Sequence, residues 1–210
     1  MKQFSTFRFK QIIEPKRSKI RNEYYDSINL INDYPSLRGI YNELYANRLT
    51  DRISSRNIIP YDFSINQTRF YEAKKILNKL KYEYHLKFRD NKTVSVFWKF
   101  KQSDLRIKSQ IHFYNEKLML IKTEVISQHN SEEIANFWSN LKTKYGQEKV
   151  NQERIIFRDG LNNMVLMENN WFAISIYYMR PDEPITSLFI NSLAPYKREI
   201  IKQVSLDYAI

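Results

Sequence analysis

Residues 93–125 read TVSVFWKFKQSDLRIKSQIHFYNEKLMLIKTEV, and the alternation within them decides the fold. Side chains alternate across a pleated strand. Val94, Val96, Trp98 and Phe100 therefore share one face. Thr93, Ser95, Lys99 and Lys101 share the other, with Phe97 an apolar intruder among them. The next run alternates as cleanly, with Ile107, Ser109, Ile111 and Phe113 against Arg106, Lys108, Gln110 and His112. A short turn at 114–117 and a return over 117–125 complete three consecutive antiparallel strands.

Working outward, Ser64 and Gln67 have the Ser-x-x-Gln spacing of a capping box. They predict a helix to about Leu80 with Phe70, Ala73, Ile76, Leu77 and Leu80 inward. Residues 82–89 alternate weakly as a strand, and Asp90-Asn91-Lys92 makes a turn. On the other side, Ser131 is a good N-cap, and Glu132 and Glu133 fall in the first turn, where the helix dipole favours acids. Ile134, Phe137, Trp138, Leu141 and Tyr145 form one stripe, and Gly146 suits the left-handed residue after a helix. Strands are expected at 154–158, 164–168 and 171–179, with Asp159-Gly160 and Asn169-Asn170 as left-handed turn residues.

Helix, four strands, helix, three strands is an imperfect tandem repeat (α-β4-α-β3). The class it predicts is α+β, an antiparallel sheet with helices on one face. The core domain is placed at 61–180, a basic arm with a helical extension at 1–60, and a turn with a helix at 181–210. Over 64–180 the layout is similar to the tandem helix–sheet modules of small bacterial inhibitor and envelope-assembly proteins. That resemblance implies action by binding other proteins, although fold alone does not fix function.

Both extensions carry apolar stripes. After Pro35, Leu37, Ile40, Tyr41, Leu44, Tyr45, Leu49 and Ile53 recur at helical spacing, which predicts a helix over 23–53. Residues 54–62 end it. Residues 180–184 read as a stiff exposed turn and 185–190 as a short apolar piece. A final helix from about Pro195 carries Tyr196, Ile200, Ile201 and Val204.

The 210 residues are 42% hydrophobic and 15% aromatic, enough apolar surface to exclude a wholly disordered chain. Three Gly and six Ala against nineteen Asn and twenty-five Ile point to AT-rich coding, which also inflates Lys. The net charge of +11 is discounted accordingly. Its distribution still matters: residues 1–130 hold 25 basic and 13 acidic side chains, whereas 131–210 hold 9 and 10. A field concentrated on one part of a protein favours an anionic partner. There is no cysteine, which excludes disulfides and thiolate chemistry. No stretch reaches the length of a membrane span. Arg8 and Lys10 interrupt what would be the apolar region of a secretory signal. A cytoplasmic location is expected, with an organellar presequence as the alternative.

No catalytic constellation emerges. His85, His112 and His129 lack zinc-site spacing, and His112 reads as a solvated residue on a polar strand face. No glycine-rich phosphate loop or nucleophile elbow is present. The expectation is a protein that is not an enzyme, needs no cofactor, metal or small-molecule substrate, and serves as a protein-binding or structural subunit of a larger assembly. Its candidate partner-binding residues are Leu37, Tyr41, Leu44, Tyr45, Phe97, Leu118 and Leu120, since Phe97, Leu118 and Leu120 are read on one face that a helix must cover. The alternative is a nucleic-acid-binding accessory protein. Its candidate phosphate-binding residues are Arg8, Lys16 and Arg17 in the arm and Lys99, Lys101, Arg106 and Lys108 on the sheet, with Phe97 as a stacking surface.

Overall fold

The computed structural model describes residues 17–50, 52–79, 84–127, 131–146 and 152–194. Seven strands form one antiparallel sheet: β1 (Tyr84–Phe88), β2 (Thr93–Gln102), β3 (Leu105–Tyr114), β4 (Lys117–Ser127), β5 (Arg154–Arg158), β6 (Met164–Asn169) and β7 (Ala173–Met179). Their order is β1-β2-β3-β4-β7-β6-β5. Among the described residues five α-helices accompany them: α1 (Arg17–Ile28), α2 (Tyr34–Ala46), α3 (Phe70–Lys79), α4 (Ser131–Lys144) and α5 (Pro184–Ser192). The chain is α+β. Each repeat is a helix followed by its strands, α3 with β1 to β4 and α4 with β5 to β7. The repeats join through their last strands, with Thr123 opposite Ile176.

The two helices of the repeat share one face of the sheet. Ala73 and Leu77 of α3 and Ile134, Trp138, Leu141 and Tyr145 of α4 join Val96, Trp98, Ile107, Phe157 and Ile176 in one core. The terminal segments take the opposite face. Leu30, Ile31, Leu37, Ile40 and Leu44 join Met119, Leu120, Met164, Leu166, Phe189 and Ile190 in a second core. Both apolar layers are thus closed from within the chain.

Several local expectations change. The helix predicted over 23–53 is two helices separated by a 3-10 turn, Leu30–Asn32. The Asn29 side chain accepts the Ile31 N–H and the Asp33 side chain accepts the Ser36 N–H, so these residues cap and restart the helix. The second helix ends at Ala46, and Leu49 and Ile53 lie exposed beyond it. Ser64 opens no capping box. Its N–H donates to Thr68 Oγ1 at 2.8 Å, and α3 begins only at Phe70, where Glu72 Oε2 accepts the Arg69 N–H at 2.9 Å. The apolar piece 185–190 is helical, because Pro184 at its first turn tolerates the missing N–H. The helix expected from Pro195 lies outside the described residues.

Leu118 also changes face. Pairing of β3 with β4 shifts between His112 and Phe113: His112 faces Leu120, Phe113 faces Leu118, and Met119 is the extra residue of a bulge. Leu118 therefore joins the α3–α4 core, and Met119 and Leu120 join the other. His112, expected in solvent, is fully buried and hydrogen-bonded through Nδ1 to Ser95 Oγ at 2.9 Å. No described helix is long and apolar enough to cross a membrane.

Candidate functional site

Antiparallel pairing turns the lysine alternation of β2 and β3 into a two-rung ladder of cations. Lys99 is directly opposite Lys108, and Lys101 is directly opposite Arg106. All four lie on the face that carries the terminal helices, at the end those helices leave open. Lys99, Lys101 and Arg106 are exposed and Lys108 is half-buried. Like charges directly across two strands repel. No described acid forms an ion pair with any of the four.

Neighbouring cations on the same face are neutralised. Lys122 pairs with Glu124 at 2.7 Å, Lys87 with Asp26 at 2.9 Å, and Arg154 with Glu43 and Glu168. The Glu43 hydrogen bond holds the Arg154 guanidinium still more firmly protonated than usual. Burial raises the Glu168 carboxyl above its ordinary range, against the pull of Arg154. Glu124 stands opposite Lys108 on β4 but pairs with Lys122, so the Lys99–Arg106 cluster keeps its positive charge free of ion pairs with described acids.

Helix α1 borders this cluster. Lys99 Nζ lies 4.4 Å from the Tyr24 ring centre and 5.1 Å from that of Tyr25, a cation–π arrangement. Gln110 fixes the end of α1: its Nε2 donates to the Ile28 carbonyl at 2.7 Å and its Oε1 accepts the Leu30 N–H at 2.9 Å. Between helix and sheet lies a hollow of about 240 Å³, lined by Tyr24, Asn29, Phe97, Lys99, Lys108 and Lys122 among others.

The expected residues thus separate. Lys99, Lys101, Arg106 and Lys108 form one cluster. Arg8 and Lys16 lie outside the described residues; Arg17 opens α1 and its side chain is not described. Phe97 is not a stacking platform, because it is only 2% exposed and the Tyr25 ring covers it at 4.8 Å. Leu37, Leu44, Leu118 and Leu120 are fully buried inside the chain and present no surface to a partner. Of the partner-binding set, only Tyr45 stays exposed, with Tyr41 half-buried and stacked on it. Tyr24 escaped the sequence reading, since only the return of α1 over the sheet brings it to the lysines, whereas the alternation of β3 already puts Gln110 on their face and Lys122 joins it there by pairing with Gln110. Among the described residues no group of three or more His, Asp or Glu could hold a metal ion. No family model, curated protein or solved structure matches the chain.

Proposed function

We propose that the protein binds single-stranded nucleic acid across the open, basic end of its sheet, acting by binding rather than catalysis. The observation that carries this reading is the pair of opposed cation rungs, Lys99 with Lys108 and Lys101 with Arg106, none of them in an ion pair with a described acid; Glu124, opposite Lys108 on β4, pairs with Lys122 instead. Residues two apart on a strand are about 6.8 Å apart, so the rungs suit successive phosphates of an extended strand. Neutralising them releases counterions from the strand and relieves repulsion within the sheet. Tyr24, 38% exposed beside Lys99, is the aromatic surface available to a base.

The test is fluorescence anisotropy with a labelled oligothymidylate over a salt series. Four phosphate contacts predict a slope of log affinity on log salt of about −3. Lys99→Glu with Lys101→Glu should weaken binding by about tenfold or more at low salt and flatten the slope by about 1 to 2. Lys74→Glu with Lys75→Glu, the same charge change on exposed α3 positions, should do much less. Equal losses from both double variants would reduce the effect to net charge and end the proposal.

A protein partner is the second reading, and the tip of the β6–β7 hairpin favours it. Trp171 and Phe172 are 69% and 83% exposed there. The tip is closed by its own hydrogen bonds: Asn169 Oδ1 accepts the Trp171 N–H, and Asn170 Oδ1 accepts those of Phe172 and Ala173. Presenting two large aromatics on a fixed turn suits an interface anchor. A pull-down from cell extract, at high salt with nuclease, should retain a protein partner that Trp171→Ser with Phe172→Ser releases. A partner held equally by both proteins would rule the tip out.

A further inference from the structure

The other face of the sheet holds a second cavity, of about 310 Å³, between the 3-10 turn Pro60–Asp62 and α4. Its aromatic walls are Tyr61, Phe100, Phe137 and Tyr178, with Ile107 and Ile176 on the sheet beneath. Tyr61 and Asp62 are consecutive non-glycine residues at φ 54 and φ 62. Backbone in that region persists only where the surroundings impose it, and it concentrates at functional sites. Here it stands the Tyr61 ring edge-on to Trp98, 4.9 Å between centres. It also sets Tyr61 Oη 2.9 Å from Ser109 Oγ and 3.1 Å from Thr123 Oγ1, satisfying hydroxyls buried in the apolar core. Tyr61, one wall of the cavity, is thereby held from both its ring and its hydroxyl.

The cavity is not purely apolar. Lys144 lines its exposed rim, and no described acid pairs with it. Partial burial, and then the charge of Arg56, hold the Lys144 amine below the ordinary lysine range. An anion at that end would offset both effects. Apolar walls with one convergent charged group are the usual composition of a small-ligand pocket.

We propose that this cavity binds a small apolar acid, an aromatic or medium-chain carboxylate, with its apolar part between Tyr61, Phe100 and Phe137 and its carboxylate against Lys144. A cationic amphiphile would meet a like charge there, and a neutral one would leave the Lys144 amine unpaired. The site is independent of the lysine ladder, which lies on the opposite face.

The full-length protein is titrated with the fluorescent probe 1-anilinonaphthalene-8-sulfonate, and the probe is then displaced with decanoate or with decanol. Saturable probe binding and displacement by decanoate are expected. Lys144→Met should weaken decanoate by about tenfold, the value of a charge-assisted contact, and leave decanol unchanged. Asn140→Trp, at the exposed rim on α4, should block probe and decanoate alike while thermal unfolding shows the fold intact. Lys99→Glu with Lys101→Glu should change nothing, so this result stands apart from that for nucleic acid. Displacement by decanoate that survives Asn140→Trp, or that is indifferent to Lys144→Met, would overturn the proposal. So would a failure of decanoate to displace the probe.

Discussion

Asp159→Ala is expected to lower folding stability by about 3–5 kcal/mol, the largest effect of any single polar substitution proposed for this chain. Asp159 is 1% exposed and accepts four hydrogen bonds. Its Oδ1 takes the N–H groups of Leu161 and Asn163, both at 2.9 Å. Its Oδ2 takes the Ile58 N–H at 2.7 Å and Asn163 Nδ2 at 2.9 Å. One carboxylate therefore closes the β5–β6 turn and ties the segment before α3, whose Ile58 is fully buried, to the second repeat. Hydrogen bonds to a charged acceptor contribute about 1.5–3 kcal/mol each. Water reaching the exposed Leu161 side would recover part of the loss, which keeps the total below the sum. Asp159→Asn keeps the shape but turns an NH₂ toward N–H donors, and about half the loss is expected. Urea denaturation at neutral pH measures both. A loss under about 1 kcal/mol for the alanine variant would show that Asp159 does not organise this junction.

The second large effect is on pH dependence. His112 is fully buried, and burial, followed by the charge of Lys122, pushes its imidazole down to about 3. Ser95 Oγ bonds its Nδ1, and its buried Nε2 has no hydrogen-bond partner among the described residues. The unfolded chain protonates this ring near its ordinary value of 6.5, whereas the folded chain does so only near 3. Between those values the unfolded state binds the extra proton. Its contribution is therefore complete above about pH 6.5 and is lost as pH falls, by about 1.4 kcal/mol per pH unit. By about pH 4.5 the loss should reach roughly 2–3 kcal/mol. His112→Asn should remove that slope. Asp33 and Glu72, whose carboxyls are held low by hydrogen bonds to Ser36 and Arg69, lose their contribution at lower pH. Glu168, held high by burial, acts in the opposite direction and is present in both proteins. Denaturation midpoints of wild type and variant from pH 7 to 4.5 isolate the histidine. Parallel pH profiles would refute the assignment.

His112 also shows where reading by alternation reaches its limit. Its neighbours Arg106, Lys108 and Gln110 make a polar face, and a polar face is ordinarily solvated. Here the segment from Asn29 returns over the far end of that face and buries His112 and Ser95, while the near end keeps its lysines in water. Position along one strand thus separates a core histidine from a candidate phosphate ligand, and only a remote segment decides it. Turn residues divide in the same way. Asp159-Gly160 and Asn169-Asn170 do mark hairpins, but the left-handed residues are Asn162 and Trp171. The Asp and Asn side chains instead accept the turn N–H groups, and the exceptional φ falls further along.

Periods of two and of three to four are legible in the chain: the strand faces from Val94 to Phe113, the α2 stripe as far as Leu44, the stripe of α4, and the α+β order of the repeat. Those patterns arise from neighbouring residues on one backbone, so they are readable without any partner. Tertiary structure alone decided what each stripe meets. Residues 118–121, Leu-Met-Leu-Ile, contain no polar residue to set a parity, and the bulge at Met119 appears only when β4 pairs with β3. Leu37 and Leu44 look the same whether they await a partner or line a core. Their burial against the chain's own β4 and β6 moves the candidate binding surface from apolar stripes to the cations that pairing of β2 with β3 brings face to face.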